Sequence, residues 1–320
     1  MLNISKKNRV SKLFSIDEVP LILVIVVATI VLSFMNSTFL NYGNMHSLLL
    51  GASFEALMVI GMTLLLITGE FDLSIGSIAG FSGVIVGITL DADFPVFVAV
   101  LAGILAGALI GLVNGLLVAK VGINSMIATL GTQMIFRGLI YIMTQGVGKP
   151  SFPAEYNIIG RFMVFGKVQL PIVISIVFII IFAILFAKSA WFRQFYFIGG
   201  NAEAAKYSGI KVSKLKVFSF VFMGLMAGIS GVLLAARMGG AIPTQGAGME
   251  MNVIAAAVIG GASTTGGKGT IFGSYLGVLI MALVVNAFNI LGVDVYWQQT
   301  ITGLILLAAV LGDVVRNKKR

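Results

Sequence analysis

Apolar residues in this chain gather into ten runs, near 20–35, 46–68, 73–90, 95–119, 123–145, 169–187, 217–236, 251–262, 270–290 and 296–312, each closed by a few polar or glycine positions. A helix needs about 20 apolar residues to cross the hydrocarbon core of a bilayer, and most of these runs are that long. The pattern predicts an all-α polytopic membrane bundle of about ten transmembrane helices. The runs at 73–90 and 251–262 are short and rich in glycine and small residues. They predict tilted, broken or re-entrant spans, with irregular glycine-rich breaks near 68–77 and 260–270 that read as traces of an internal repeat. The first run follows a polar stretch holding Asp17 and Glu18 and has no small-residue cleavage pattern after it, so it reads as a retained helix and not a signal peptide. The chain then divides into a tail at 1–18, one transmembrane domain at 19–312 with a polar loop at 188–216, and a second tail at 313–320.

Composition agrees with a membrane solvent. Hydrophobic residues make up 58% of the chain and charged residues 10%, with a mean hydropathy of +1.06. The absence of cysteine removes disulfides, thiolate metal sites and cysteine nucleophiles. The net charge of +9 would suit nucleic acid if the basic residues formed a patch. They do not. With both termini placed in the cytoplasm, sixteen of the twenty-one Lys and Arg residues fall on the cytoplasmic side: four in the first tail (Lys6, Lys7, Arg9, Lys12), Lys120, six between Lys188 and Lys216, Lys268, and four at the end. The opposite side holds Lys149, Arg161, Lys167 and Arg237, and Arg137 lies within a span. This is the positive-inside distribution, so the charge reports topology and no nucleic-acid partner is expected.

The longest basic interruption, GGNAEAAKYSGIKVSKLK at 199–216, reads as a short helix outside the membrane. Asn201 suits the N-cap, Glu203 the first turn, and the alanines at 202, 204 and 205 favour helix, while Gly209 can end it. Small side chains would leave a smooth surface for another protein, flanked by Lys206, Lys211, Lys214 and Lys216. A plain positive-inside loop is the other reading of the same residues.

GGNAEAAKYSGI resembles the cytoplasmic coupling segment of the ribose-type, simple-sugar permeases of bacterial ABC importers. TGEFDLSIGS at 68–77 and AAVIGGASTTGGKGTIFG at 256–273 resemble two further signatures of that family, in the expected order, and ATLGTQMIFRGLIYIMTQG at 128–146 and NAFNILGVDVYWQQ at 286–299 are similar as well. The resemblance runs from about residue 40 to 316. It implies a permease subunit, not an enzyme, that moves a monosaccharide by alternating access, a ribose-like pentose being the first expectation and a nucleoside or furanosyl signal molecule the alternatives. It also implies ATPase coupling through Asn201, Glu203, Ala204, Ala205, Lys206 and Gly209. The implied partners are an ABC ATPase that carries ATP and Mg, an extracytoplasmic solute-binding protein and a second permease copy or homologue in a bacterial inner membrane, with no cofactor on this chain. The sequence departs from the family at Glu70 and Phe71, where a second glycine and an aliphatic residue commonly precede the aspartate.

Residue chemistry narrows the rest. Asp72, Ser74 and Gly76 form the motif turn, in which Asp72 suits a cap for a helix beginning at Leu73. Gly76, Gly80, Gly83 and Gly87, and again Gly103, Gly107, Gly111 and Gly115, line single helical faces and predict close helix contacts. GGASTTGGKGT is not a phosphate-binding loop, because Ala262 and Gly269 stand where that motif needs glycine and a hydroxyl. The single histidine, His46, has no nucleophile near it in sequence and reads as interfacial packing. Glu55 and Arg137 are the clear ionisable residues inside spans, few for an ion-gradient-driven secondary transporter, which is the alternative function. The amides of Asn114, Gln133, Asn286, Asn289 and Gln298, with Asn124 and Gln299 nearby, are candidates to line a path for a polar solute or to join helices.

Overall fold

A computed structural model describes residues 18–318. The basic residues of the first tail, and Lys319 and Arg320 of the second, lie outside the described residues. Helices dominate: α1 (Val19–Met35), α2 (Tyr42–Ile67), α3 (Ile75–Asp91), α4 (Val96–Leu116, continued by a π-helical turn over Leu117–Val121), α5 (Ser125–Thr144), α6 (Ala154–Arg161), α7 (Leu170–Lys188), α8 (Ala190–Gly200), α9 (Ala202–Tyr207), α10 (Val212–Met238), α11 (Met249–Ile259), α12 (Ile271–Ile290) and α13 (Val295–Lys318). Four two-residue strands form two small pairings within the segments that connect helices. Among the described residues α2, α4, α5, α7, α10, α12 and α13 are long and apolar enough to cross a membrane, and α1, α3 and α11 are shorter apolar helices. These ten match the ten apolar runs. The last helix continues to Lys318, past the expected domain edge at 312.

The bundle is built around α2, which is apolar on every side and enclosed on every side, as such a helix must be. From Ala52 to Ile67 each residue of α2 is buried except Glu55. Glycine faces set the other close crossings. Gly107 of α4 lies against Gly224 and Gly228 of α10, and an added Cβ there would meet the Gly224 carbonyl oxygen at 2.6 Å. Gly111 packs on Phe220 in the same crossing, so the 103–115 stripe is a helix contact, as its spacing predicts.

The packing repeats within the chain. α3 contacts α4, α5 and α10, as α11 contacts α12, α13 and α2, and α10 lies along α4 as α2 lies along α12. The four crossings of α3, α4, α5 and α7 separate α2 from α10, so the unit α10–α13 runs opposite to α2–α5: an inverted repeat. The expected pairing of the two breaks is therefore corrected. The segment between α2 and α3 (68–74) corresponds to that between α10 and α11 (239–248), not to 260–270. The resemblance of 68–77 to 260–270 has another basis, since both lie at one end of the bundle and touch, with the Gly267 N–H donating to the Ile67 carbonyl (2.9 Å).

Candidate coupling site and solute path

The island at 199–216 folds largely as its residues dictate. Asn201 adopts an extended backbone and its Oδ1 accepts from the Ala204 N–H (2.9 Å), capping α9. The helix stops after Tyr207, and Gly209 takes the left-handed conformation (φ 84°) that glycine accommodates without strain. Ala204, Glu203, Lys206 and Gly209 are exposed. Ala205 is not: at 3% exposure it joins the main hydrophobic core. Ala205 lies on the face of α9 seated on the bundle, at the inner side of the neighbouring groove and not on its open rim. Between α8 and α9 runs a groove with Phe197, Gly200, Asn201, Ala204 and Ser208 along it and Tyr196, Ala205 and Ile210 also in its lining. Phe197 (63% exposed) and Tyr207 (89%) stand in the open beside it. Sequence reasoning passed over both aromatics, although a tyrosine inside a small-residue, basic segment is the available signal.

This segment is fastened to both breaks. Gly199, in the last turn of α8, lies so close to Ile67 and Gly267 that an added Cβ would collide with the Ile67 carbonyl oxygen and the Gly267 amide nitrogen. The Tyr196 hydroxyl donates to the Gly269 carbonyl (2.8 Å), and burial pushes that hydroxyl up to about 12, which keeps it a donor. At the far end of the segment, the Ser213 hydroxyl donates to the Ala119 carbonyl (2.9 Å) and the Lys216 ammonium pairs with the Glu70 carboxylate.

The motif turn is closed by side chains. Asp72 is fully buried; its Oδ1 accepts from the Ser74 N–H (2.8 Å) and hydroxyl (2.6 Å), and the Asn114 amide donates to Asp72 Oδ2 (3.3 Å) and Ser74 Oγ (2.9 Å). The carboxylate thus caps the turn before a helix that begins at Ile75, two residues later than expected. Asn114, also fully buried, holds this turn and lines no open path. Thr129 and Ser125 of α5 accept from the Leu73 (3.0 Å) and Phe71 (3.3 Å) N–H groups. Irregular buried backbone is tolerated here because protein groups satisfy it. Glu70 and Asp72 do not act as a pair.

On the repeat-related side, Gly76 meets Gly246 with no room for a side chain, the Gln133 amide donates to Glu250 (3.1 Å), and Arg137 donates to the Pro243 and Gln245 carbonyls (both 2.9 Å). Gln133 therefore braces α5 against α11, and Arg137 braces it against 239–248. Asn286 and Asn289 come together with Glu55 and Asn252 around a cleft of about 250 Å³ between α2, α11 and α12. Asn286 exchanges amide hydrogen bonds with Asn44 (2.7 and 3.1 Å), and Gln298 donates to Asn289 (3.1 Å). Of the amides predicted for a path, Asn286 and Asn289 thus line an open polar space, with Gln298 bonded to Asn289. Asn252 was not singled out in the sequence, where it reads as one polar residue in an apolar run.

An all-helical bundle of apolar spans, with a capped segment bolted onto two breaks between helices, is the architecture of a multi-pass membrane protein. The family described as "Branched-chain amino acid transport system / permease component" matches residues 44–310, and the chain belongs to it. The chain is 37% identical over 292 residues to the ribose import permease protein of Bacillus subtilis (strain 168), covering 90% of this chain and 89% of that one. It is 34% identical over 329 aligned positions to the ribose import permease protein of Escherichia coli (strain K12), covering 99% and 98%. It is 36% identical over 304 residues to that organism's L-arabinose transport system permease protein, covering 95% and 92%. No solved structure matches the chain.

Proposed function

We propose that this chain is the membrane permease subunit of an ATP-driven importer for a monosaccharide of the ribose and arabinose kind. ATP and Mg belong to a separate ATPase that docks on α8 and α9, a solute-binding protein delivers the sugar to the opposite face, and a second permease copy or homologue completes the pore. The membrane is a bacterial inner membrane with both termini cytoplasmic, a reading supported by the sixteen-to-four distribution of Lys and Arg. The observation that carries the proposal is the seating of Gly199 on both Ile67 and Gly267. A push on the α8–α9 segment is transmitted at once to the foot of α2 and to the break before α12, which serves alternating access. ATPase closure moves the segment, the bundle rocks, and solute passes inward.

The family description points to branched-chain amino acids, whereas the similar proteins above are named for ribose and L-arabinose. The lining of the cleft favours the sugar, since it presents the Glu55 carboxyl and amides but no cation to a zwitterion's carboxylate. The test is uptake into proteoliposomes holding the chain with the ATPase and binding protein encoded beside it. Labelled D-ribose or L-arabinose should accumulate and unlabelled leucine should not compete. Accumulation of leucine, with neither sugar taken up, would contradict the substrate reading.

A further inference from the structure

We infer that the cleft between α2, α11 and α12 is a binding niche for a neutral polyhydroxyl solute, with Glu55 as its main acceptor and Asn252 and Asn289 as flanking amides. The inference rests on the sugar-importer reading and assigns residues to it. Three observations carry it. First, Glu55 is the one residue of α2 between Ala52 and Ile67 that is not closed in by protein. A carboxylate turned toward lipid is costly, so this opening faces water or another protein. The space holds about 250 Å³, against a share of about 30 Å³ for one liquid water.

Second, the hydrogen-bonding groups around the space are only half used. Asn252 donates one N–H to Glu55 Oε1 (3.0 Å), and Asn289 accepts from Gln298 (3.1 Å). Among the described residues, the second Glu55 oxygen, the Asn252 carbonyl and the Asn289 amide nitrogen have no further protein partner. Two acceptors and a donor converging without a cation suit hydroxyl groups, each of which donates and accepts. They do not suit an anion, which Glu55 would repel.

Third, the chain contains its own control. In the inverted repeat the α3–α4 junction, where Asp72 and Ser74 before α3 meet Asn114 of α4, corresponds to the α11–α12 junction, where Glu250 and Asn252 lie in the first turn of α11 and Asn286 on α12. The first set is sealed, its three polar side chains fully buried and bonded to one another. In the second, Glu250 turns away to Gln133 and Asn252 turns to Glu55, leaving the cleft. One scaffold closes this junction and also leaves it open, so the opening is a local feature of the second half and not a packing requirement.

The cysteine-free chain permits a direct test. Ser47→Cys places a reporter thiol on the exposed rim of the cleft. Its reaction with a small methanethiosulfonate is timed in the full chain in nanodiscs, with and without D-ribose, L-arabinose, D-glucose or, as a control, leucine. The sugar that the complete importer takes up should slow labelling several-fold, and leucine should not. Adding Glu55→Gln, which keeps the shape but replaces an acceptor oxygen with an amide donor, should raise the protecting sugar concentration several-fold. Asn289→Ala, at an exposed position, should raise it by a smaller factor. Labelling indifferent to a sugar that the importer does transport, or protection unchanged in both variants, would overturn the niche and leave the function standing. Failure of the complete importer to take up any of the three sugars would overturn the substrate reading and this site with it.

Discussion

Glu70 stands where the resembling permeases carry a second glycine, and alone it looked like an awkward second charge beside Asp72. Its partner lies far away in sequence, at Lys216, the last basic residue of the coupling segment. No local pattern could have joined them, because the pairing depends on how α10 descends beside the α2–α3 break. The two side chains are 11% and 24% exposed, between a surface pair and a buried one. Removing one partner should therefore cost about 1–2 kcal/mol, more than a surface pair and less than a fully buried one. Glu70→Gln and Lys216→Met should each lower thermal stability in detergent, and the double variant should lose less than the sum. Additive losses would mean that the two side chains do not interact.

Among the elements, α9 shows both the reach and the limit of reading a sequence. Its cap, its length and its glycine stop were legible because each depends on residues within one turn of chain. Which alanine faces out was not, since that depends on the bundle beneath, and Ala205 is the one turned in. The two alanines should consequently behave differently. Ala204→Glu puts a charge on the open rim of the α8–α9 groove, so the protein should reach normal abundance while ATPase co-purification and uptake fall by tenfold or more, as like-charge or steric mismatch at an interface does. Ala205→Glu forces a carboxylate into the core and should reduce abundance and melting temperature first. Normal stability of Ala205→Glu with lost docking would reverse the assignment. The start of α3 is a similar case: the capping chemistry of Asp72 was readable, but its partner Asn114 stood open between a solute path and a helix contact, because a buried amide in a helix looks the same in sequence whether it binds solute or turn.

For the whole molecule, the ten apolar runs reappear as the ten apolar helices because hydrocarbon solvent makes run length a direct measure of crossing. The inverted repeat was less legible, since equivalent segments face opposite ends of the bundle and share little sequence. The two glycine-rich breaks were matched for composition, yet they are neighbours and not counterparts. The sidedness proposed from the charge distribution predicts that single cysteines at Ser208 and Glu155 are labelled by a membrane-impermeant maleimide from opposite faces, Ser208 only from the cytoplasm. Labelling of Ser208 from outside would place the coupling segment on the wrong side. The central claim, that motion of the α8–α9 segment drives the bundle, is tested most directly by the energy source of uptake in proteoliposomes. With ATPase and binding protein present, sugar accumulation should require ATP, persist when the proton gradient is collapsed, and disappear in Ala204→Glu. Uptake by this chain alone, independent of ATP and abolished by an uncoupler, would contradict the account and identify an ion-driven transporter.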